Sequence, residues 1–169
     1  TYQYLRMSYP ALAEIKGDLL STETSLNRED SFIKNYKSSK KSGFNRQRAY
    51  LLNMEKLPHG EFGVMHGLMP VSQLKEVCHK YNVSINDYLV ACFVWSVYKE
   101  CYHGMPGNLP IRVAVPVNLR PYFDSVTTKN FFVMISAEFT PTKQTYTFEE
   151  VLSCVTESIK AQISKEHLE

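Results

Sequence analysis

Residues 111–132 read IRVAVPVNLRPYFDSVTTKNFF, and the fold turns on this stretch. Ile111, Val113 and Val115 alternate with other residues at the period of a strand that buries one face. The run ends in Pro116-Val117-Asn118-Leu119-Arg120 and passes into a short polar loop. Asn130-Phe131-Phe132 then opens a second alternation, Phe131, Val133, Ile135, Ala137 and Phe139, with Ser136 and Glu138 on the opposite face. Asn118, Arg120 and Asn130 therefore fall at strand ends, where a sheet holds polar groups rigidly at the rim of a core.

Helical patterns flank this pair. Upstream, Ser84 precedes an apolar run and Asp87 follows three residues later, an acidic variant of the capping box. The helix it predicts, Ile85 to about Tyr102, is apolar nearly all round and is expected to be the buried central helix. Gly104, Pro106 and Gly107 end it. Before it, Pro70 introduces a shorter helix with Leu74, Val77, Cys78 and Tyr81 on one stripe. Downstream, Thr147 and Glu150 form a capping box for a final helix whose stripe is Phe148, Val151, Leu152, Val155, Ile159 and Ile163. Arg48–Met54 and Glu61–Met69 read as two further strands joined at Leu57-Pro58-His59-Gly60, a hairpin. Helices interleaved with strand pairs predict an α/β fold, a two-layer sandwich on a mixed, largely antiparallel sheet.

The N-terminal third is different. Tyr2, Leu5 and Tyr9 repeat at helical spacing and stop at Pro10, as the last turns of a helix would. From Glu14 to Gln47 apolar periodicity is lost, and the segment reads as a long crossing linker. The division expected is 1–13, the end of a helix; 14–47, the linker; and 48–169, the main subdomain. The chain opens on Thr1 rather than Met, so a piece of a longer protein is expected.

Composition excludes several classes. At 169 residues, with 44% hydrophobic and 21% charged residues, the chain can build a core and is unlike disordered sequences. A formal charge of +2 gives no general reason to bind nucleic acid or an anionic membrane. The stretch from Arg28 to Arg48 is locally basic, with Tyr36 and Phe44 interleaved, and reads as a solvated linker ahead of a nucleic-acid site. Cys78, Cys92, Cys101 and Cys154 contain no CxxC pair and read as reduced, buried thiols of a cytoplasmic protein. The apolar run from Tyr88 to Tyr98 is far below the ~20 residues of a membrane span. The five histidines are dispersed, and Cys101-Tyr102-His103 lacks a second pair to complete a zinc site, so no metal is expected. His103 is placed in the last helical turn, where a cation favours the dipole. GxGxxG, Walker A, GxSxG and HExxH motifs are all absent.

Two readings of Asn118, Arg120 and Asn130 follow from the residues alone. In one they form a functional rim. In the other the asparagines are turn formers and Arg120 pairs with a nearby carboxylate such as Asp124.

The succession VSINDYLVACFVWSVYKECY (83–102), RVAVPVNLRPYF (112–123) and KNFF (129–132) resembles the C-terminal half of the CoA-dependent acyltransferase superfamily. That superfamily includes chloramphenicol acetyltransferase, nonribosomal peptide condensation domains and alcohol acetyltransferases. The alcohol acetyltransferase-like branch is the most similar. The resemblance spans about Met69 to Glu138. It implies one half of a fold in which two α/β halves meet at a channel. There an acyl group passes from a thioester, acyl-CoA or a carrier-protein pantetheine, to an alcohol or amine. The general base implied is the second His of an HHxxxDG motif in the other half, and this chain contains no HH pair. The resemblance therefore implies no catalytic residue here. Arg120 becomes a brace of the catalytic loop, suited to a bidentate carboxylate contact, and Asn118 and Asn130 become channel lining. The expected function is the C-terminal part of a thioester-dependent acyltransferase, inactive in isolation. The rival is a non-catalytic binding or assembly module that keeps half of the fold. In either case an uncovered apolar interface predicts self-association.

Overall fold

The computed structural model describes residues 25–35, 47–53 and 56–163. A 3₁₀ turn at Ser25–Arg28 and a five-residue helix α1 (Ser31–Asn35) come first. Helices α2 (Val71–Tyr81) and α3 (Ile85–Cys101), strands β1 (Ile111–Asn118) and β2 (Phe132–Phe139), and helix α4 (Phe148–Gln162) follow. Among the described residues this is a mixed α/β chain with four helices and a two-stranded antiparallel sheet.

The sheet obeys the alternation read from sequence. Ile111 opposes Phe139, Val113 opposes Ala137, Val115 opposes Ile135 and Val117 opposes Val133. Ile111, Val115, Ile135, Ala137 and Phe139 are buried in one core with Ala91, Val94 and Tyr98 of α3 and Val151, Leu152, Val155 and Ile159 of α4. The other face carries the pairs Arg112–Glu138, Ala114–Ser136, Pro116–Met134 and Asn118–Phe132. Ala114, Pro116, Asn118, Phe132 and Met134 on it are exposed. Both helices that touch the sheet thus serve its inner face.

Local signals fixed the helix ends. Ser84 Oγ accepts the Asp87 amide at 3.0 Å, the Ser84 half of the expected box. At α4 both halves are present: Thr147 Oγ1 accepts from the Glu150 amide, and Glu150 Oε2 accepts from the Thr147 amide at 3.0 Å. Helix α2 ends at Asn82, whose φ of 53° is left-handed. The Val83 amide returns to the Cys78 carbonyl at 3.1 Å, a Schellman closure.

Three expectations are corrected. The hairpin of Arg48–Met54 and Glu61–Met69 is not formed among the described residues, and Met54 lies outside them. Residues 47–53 approach β1, where the Tyr50 N–H donates to Pro110 O at 2.8 Å, without forming a strand. Residues 61–69 alternate correctly but pair with no strand among the described residues, and strand preference is mostly a property of packing against neighbours. Helix α3 is not buried all round: Leu89 is 42% and Phe93 50% exposed, because α4 and the sheet cover only its inner face. His103 lies beyond the helix rather than in its last turn, with a left-handed φ of 52°. The predicted helix at residues 2–10 lies outside the described residues.

Candidate functional site

The connection from β1 to β2 is a rigid loop. Its centre is Arg120, half-buried, whose guanidinium donates to three oxygens of its own loop. Nε reaches Thr127 O at 3.0 Å, Nη1 reaches Asn118 Oδ1 at 3.0 Å and Nη2 reaches Lys129 O at 2.5 Å. Asn118 Oδ1 also accepts the Arg120 amide at 3.2 Å. The planar fork therefore joins the end of β1 to the residues entering β2. The structure brings Asn118 and Arg120 together, and Arg120's acceptors are neutral amides rather than Asp124. Asn130 is exposed at the mouth of the same loop and is not drawn into the fork. Leu119, Phe123 and Phe131 are buried beneath it.

Residues 25–35 dock onto this loop, a contact that the linker reading of 14–47 missed. Asn27 Nδ2 donates to Val126 O at 2.9 Å, and the Thr128 amide donates to Asn27 O at 2.8 Å. Buried Thr127 donates its hydroxyl to Glu29 O at 2.7 Å. Ser31 and Ser125 share a hydrogen bond of 2.6 Å between their hydroxyls. Phe32 packs edge-on against Phe131, centroids 5.0 Å apart. These contacts link residues some 94 to 101 positions apart, so no local period announces them. The Asn-Arg-Ser-Thr richness of the two segments is the only trace in sequence.

A groove of about 580 Å³ runs between the rim of β2 and α4, lined by residues including Arg112, Glu138, Cys154, Ser158 and Gln162. Arg112 Nε holds Glu138 Oε2 at 2.7 Å and Nη1 holds Gln47 O at 2.6 Å. The groove's main charges thus cancel within the chain. Desolvation pushes the Cys154 thiol above its ordinary value, with Glu157 adding to the effect. Burial raises Cys92 as well, against a hydrogen bond from Tyr88 that lowers it. Neither has the depressed value of an activated nucleophile. The four cysteines are free thiols, but only Cys78 is buried as expected: Cys92 and Cys101 are half-buried and Cys154 is exposed.

His59, His66, His79 and His103 are all exposed, and among the described residues no three His, Cys, Asp or Glu side chains group to hold a metal. His167 lies outside those residues. The loop is thus suited to holding a shape, and the ion pair beside it, Lys34 Nζ to Glu29 Oε2 at 3.2 Å, is closed within the docked segment. No helix among the described residues is long and apolar enough to cross a membrane. No family model, curated protein or solved structure matches the chain.

Proposed function

We propose that this chain is the C-terminal half of an alcohol acetyltransferase-like, CoA-dependent acyltransferase. The observation that carries the reading is the Arg120 loop. The stretch whose sequence resembles that superfamily folds here into a strand end, a loop and a strand start tied by one guanidinium. A brace of this kind suits a scaffold residue that presents a channel wall, and it suits the absence of an HH pair from the chain. The half-fold would be one part of a two-layer sandwich, and the other half would lie against the open outer face of β1 and β2.

In that role Arg120 keeps the loop closed and offers its remaining donors to a carboxylate of the missing half. Asn118 and Asn130 stand at the channel rim, where an amide orients an acyl carbonyl. The reaction attacks a thioester with an alcohol or amine, and the base that takes the acceptor's proton lies upstream. Acyl-CoA or a carrier-bound pantetheine supplies the acyl group as co-substrate. The compartment proposed is the cytoplasm.

An acyl-transfer assay on this chain, with acetyl-CoA and a panel of alcohols and amines, should show no turnover above the uncatalysed rate. Addition of an upstream segment carrying HHxxxDG should restore it. Turnover by the 169 residues alone would overturn the division of labour proposed. The second reading, a non-catalytic assembly module, draws on the open outer face of the sheet. It predicts no turnover even after the upstream half is supplied.

A further inference from the structure

The two edges of the sheet are treated differently. On β2 the outward backbone groups belong to Ser136 and Glu138, and α4 seals them. Ser136 N–H donates to Gln162 Oε1 at 3.1 Å, Gln162 Nε2 donates to Ser136 O at 2.7 Å, and Glu138 N–H donates to Ser158 Oγ at 3.0 Å. The ladder's alternation then fixes which groups of β1 face away from β2. Ala114 opposes Ser136 and Arg112 opposes Glu138, so Arg112, Ala114 and Pro116 point their backbone outward on the far side. No hydrogen bond among the described residues ends on these groups. Pro110, of the same parity, is already engaged by the Tyr50 amide. Pro116 lacks an N–H and closes the other end, the usual place for proline on an edge. Between them lies a short run of unpaired donors and acceptors.

The same chain carries a segment that fits such an edge. In residues 61–69, Phe62 is 86%, Val64 67% and Leu68 99% exposed, and they recur at strand period on one side. Met65 on the other side is 98% exposed. Among the described residues this arm makes one backbone bond, Glu61 N–H to Pro58 O. Its C-terminal end is fixed at Pro70, whose carbonyl accepts the Leu74 amide in the first turn of α2. Helix α2, to which the arm leads, packs on α3.

We propose that the open edge of β1 receives residues 61–69 of a second copy of this chain. Each copy has one edge and one arm, so reciprocal exchange closes as a twofold dimer without further growth. Main-chain bonds to Arg112, Ala114 and the Pro116 carbonyl give the affinity. Phe62, Val64 and Leu68 cover one face of the widened sheet. Exposed apolar strand segments and bare edges are hazards in monomers, and pairing them removes both at once. The exchange stands apart from the acyltransferase reading, since dimerisation is measured without turnover.

The test is sedimentation equilibrium of the full chain over a concentration series, with hydrogen exchange of the β1 and arm peptides. The expected result is a monomer–dimer equilibrium in which the Ala114 amide and the arm slow their exchange only as dimer forms. Ala114→Pro removes an outward N–H without touching the β1–β2 ladder and should weaken the dimer at least about tenfold. Val64→Lys with Leu68→Lys should do the same. Both of those side chains are exposed, so this variant keeps the monomer folded and decides the matter if Ala114→Pro fails to fold. A monomer at all concentrations overturns the proposal, as does a dimer equally tight in the arm variant. Protection of Ala114 that is independent of concentration also overturns it, because it means the arm closes on its own chain.

Discussion

Replacing Arg120 tests whether one guanidinium holds the loop between the strands. Its three bonds run to Thr127 O, Asn118 Oδ1 and Lys129 O, of which the first is partly buried and the other two are exposed. A bond from a charged donor contributes ~1.5–3 kcal/mol net, and water competes most where the bond is exposed. The partly buried bond is therefore placed at the lower end of that range and the exposed pair well below it. Arg120→Ala should cost about 2–3 kcal/mol. Arg120→Lys should recover about 1 kcal/mol of this, because one ammonium cannot reach three oxygens set for a planar fork. The readout is urea unfolding at neutral pH followed by Trp95, the sole tryptophan, which is half-buried against Tyr98 and Phe148. Because the acceptors are neutral amides, the loss should persist in high salt, unlike that of a surface ion pair. Asp124→Asn should leave stability within about 0.5 kcal/mol of the wild type. An Arg120→Ala protein as stable as wild type would refute the brace, and so would an Asp124→Asn protein that loses as much as Arg120→Ala.

Gly107→Ala should destabilise by about 1–3 kcal/mol and lower the melting temperature. An added Cβ would lie 1.9 Å from Tyr102 Cε1, and that ring is fixed by Tyr50 at 4.8 Å and by its hydroxyl bond to Leu109 O at 2.8 Å. An unchanged melt would mean that the ring moves freely. The Glu150 carboxyl is held below its ordinary value first by the Thr147 amide and then by Lys143. A carboxyl whose folded value is depressed adds stability above its unfolded value and loses it as pH falls through the folded one. Glu150→Gln should therefore be less stable at neutral pH and converge with wild type in acid, read from unfolding midpoints across that range. A constant gap at every pH would contradict it. Gln162→Leu strips the amide that pairs with both backbone groups of Ser136 and should cost about 1–3 kcal/mol. It should also speed exchange at the Ser136 amide, and wild-type exchange there would show that Gln162 does not seal the edge.

Elements defined by neighbouring residues were legible in the chain. The Thr147–Glu150 box, the Ser84 cap and the alternation of Val113, Val115, Ile135 and Ala137 each need only a short window, and each stands where it was expected. Residues whose state depends on distant partners were not legible. Phe62, Val64 and Leu68 have the period of a strand, yet a strand exists only where another backbone supplies its bonds. Residues 25–35 show no apolar period because hydroxyls and carbonyls make most of their contacts, with Phe32 as the one aromatic anchor. Arg120 was legible as a polar residue at a strand end, but the oxygens it holds within its own loop were not. Thr127 O and Lys129 O are backbone atoms, and sequence names no residue type for them.

The bonds of Arg120 bear on how the upstream half proposed above could use it. A guanidinium has five N–H donors in a fixed plane, and three are committed within the loop. One donor remains on Nη1 and one on Nη2. The bonds those nitrogens already make are the exposed ones, so their side of the fork is reachable from solvent. A carboxylate in a bidentate pair takes one in-plane donor from each of two guanidinium nitrogens. By donor count, the carboxylate contact proposed for Arg120 does not require release of Thr127, Asn118 or Lys129. A role in which the loop must open to engage its partner would instead place the carboxylate against Nε, where Thr127 O already sits. The proposed pairing is thus an addition to the brace, and the loop should keep one shape with and without the upstream half.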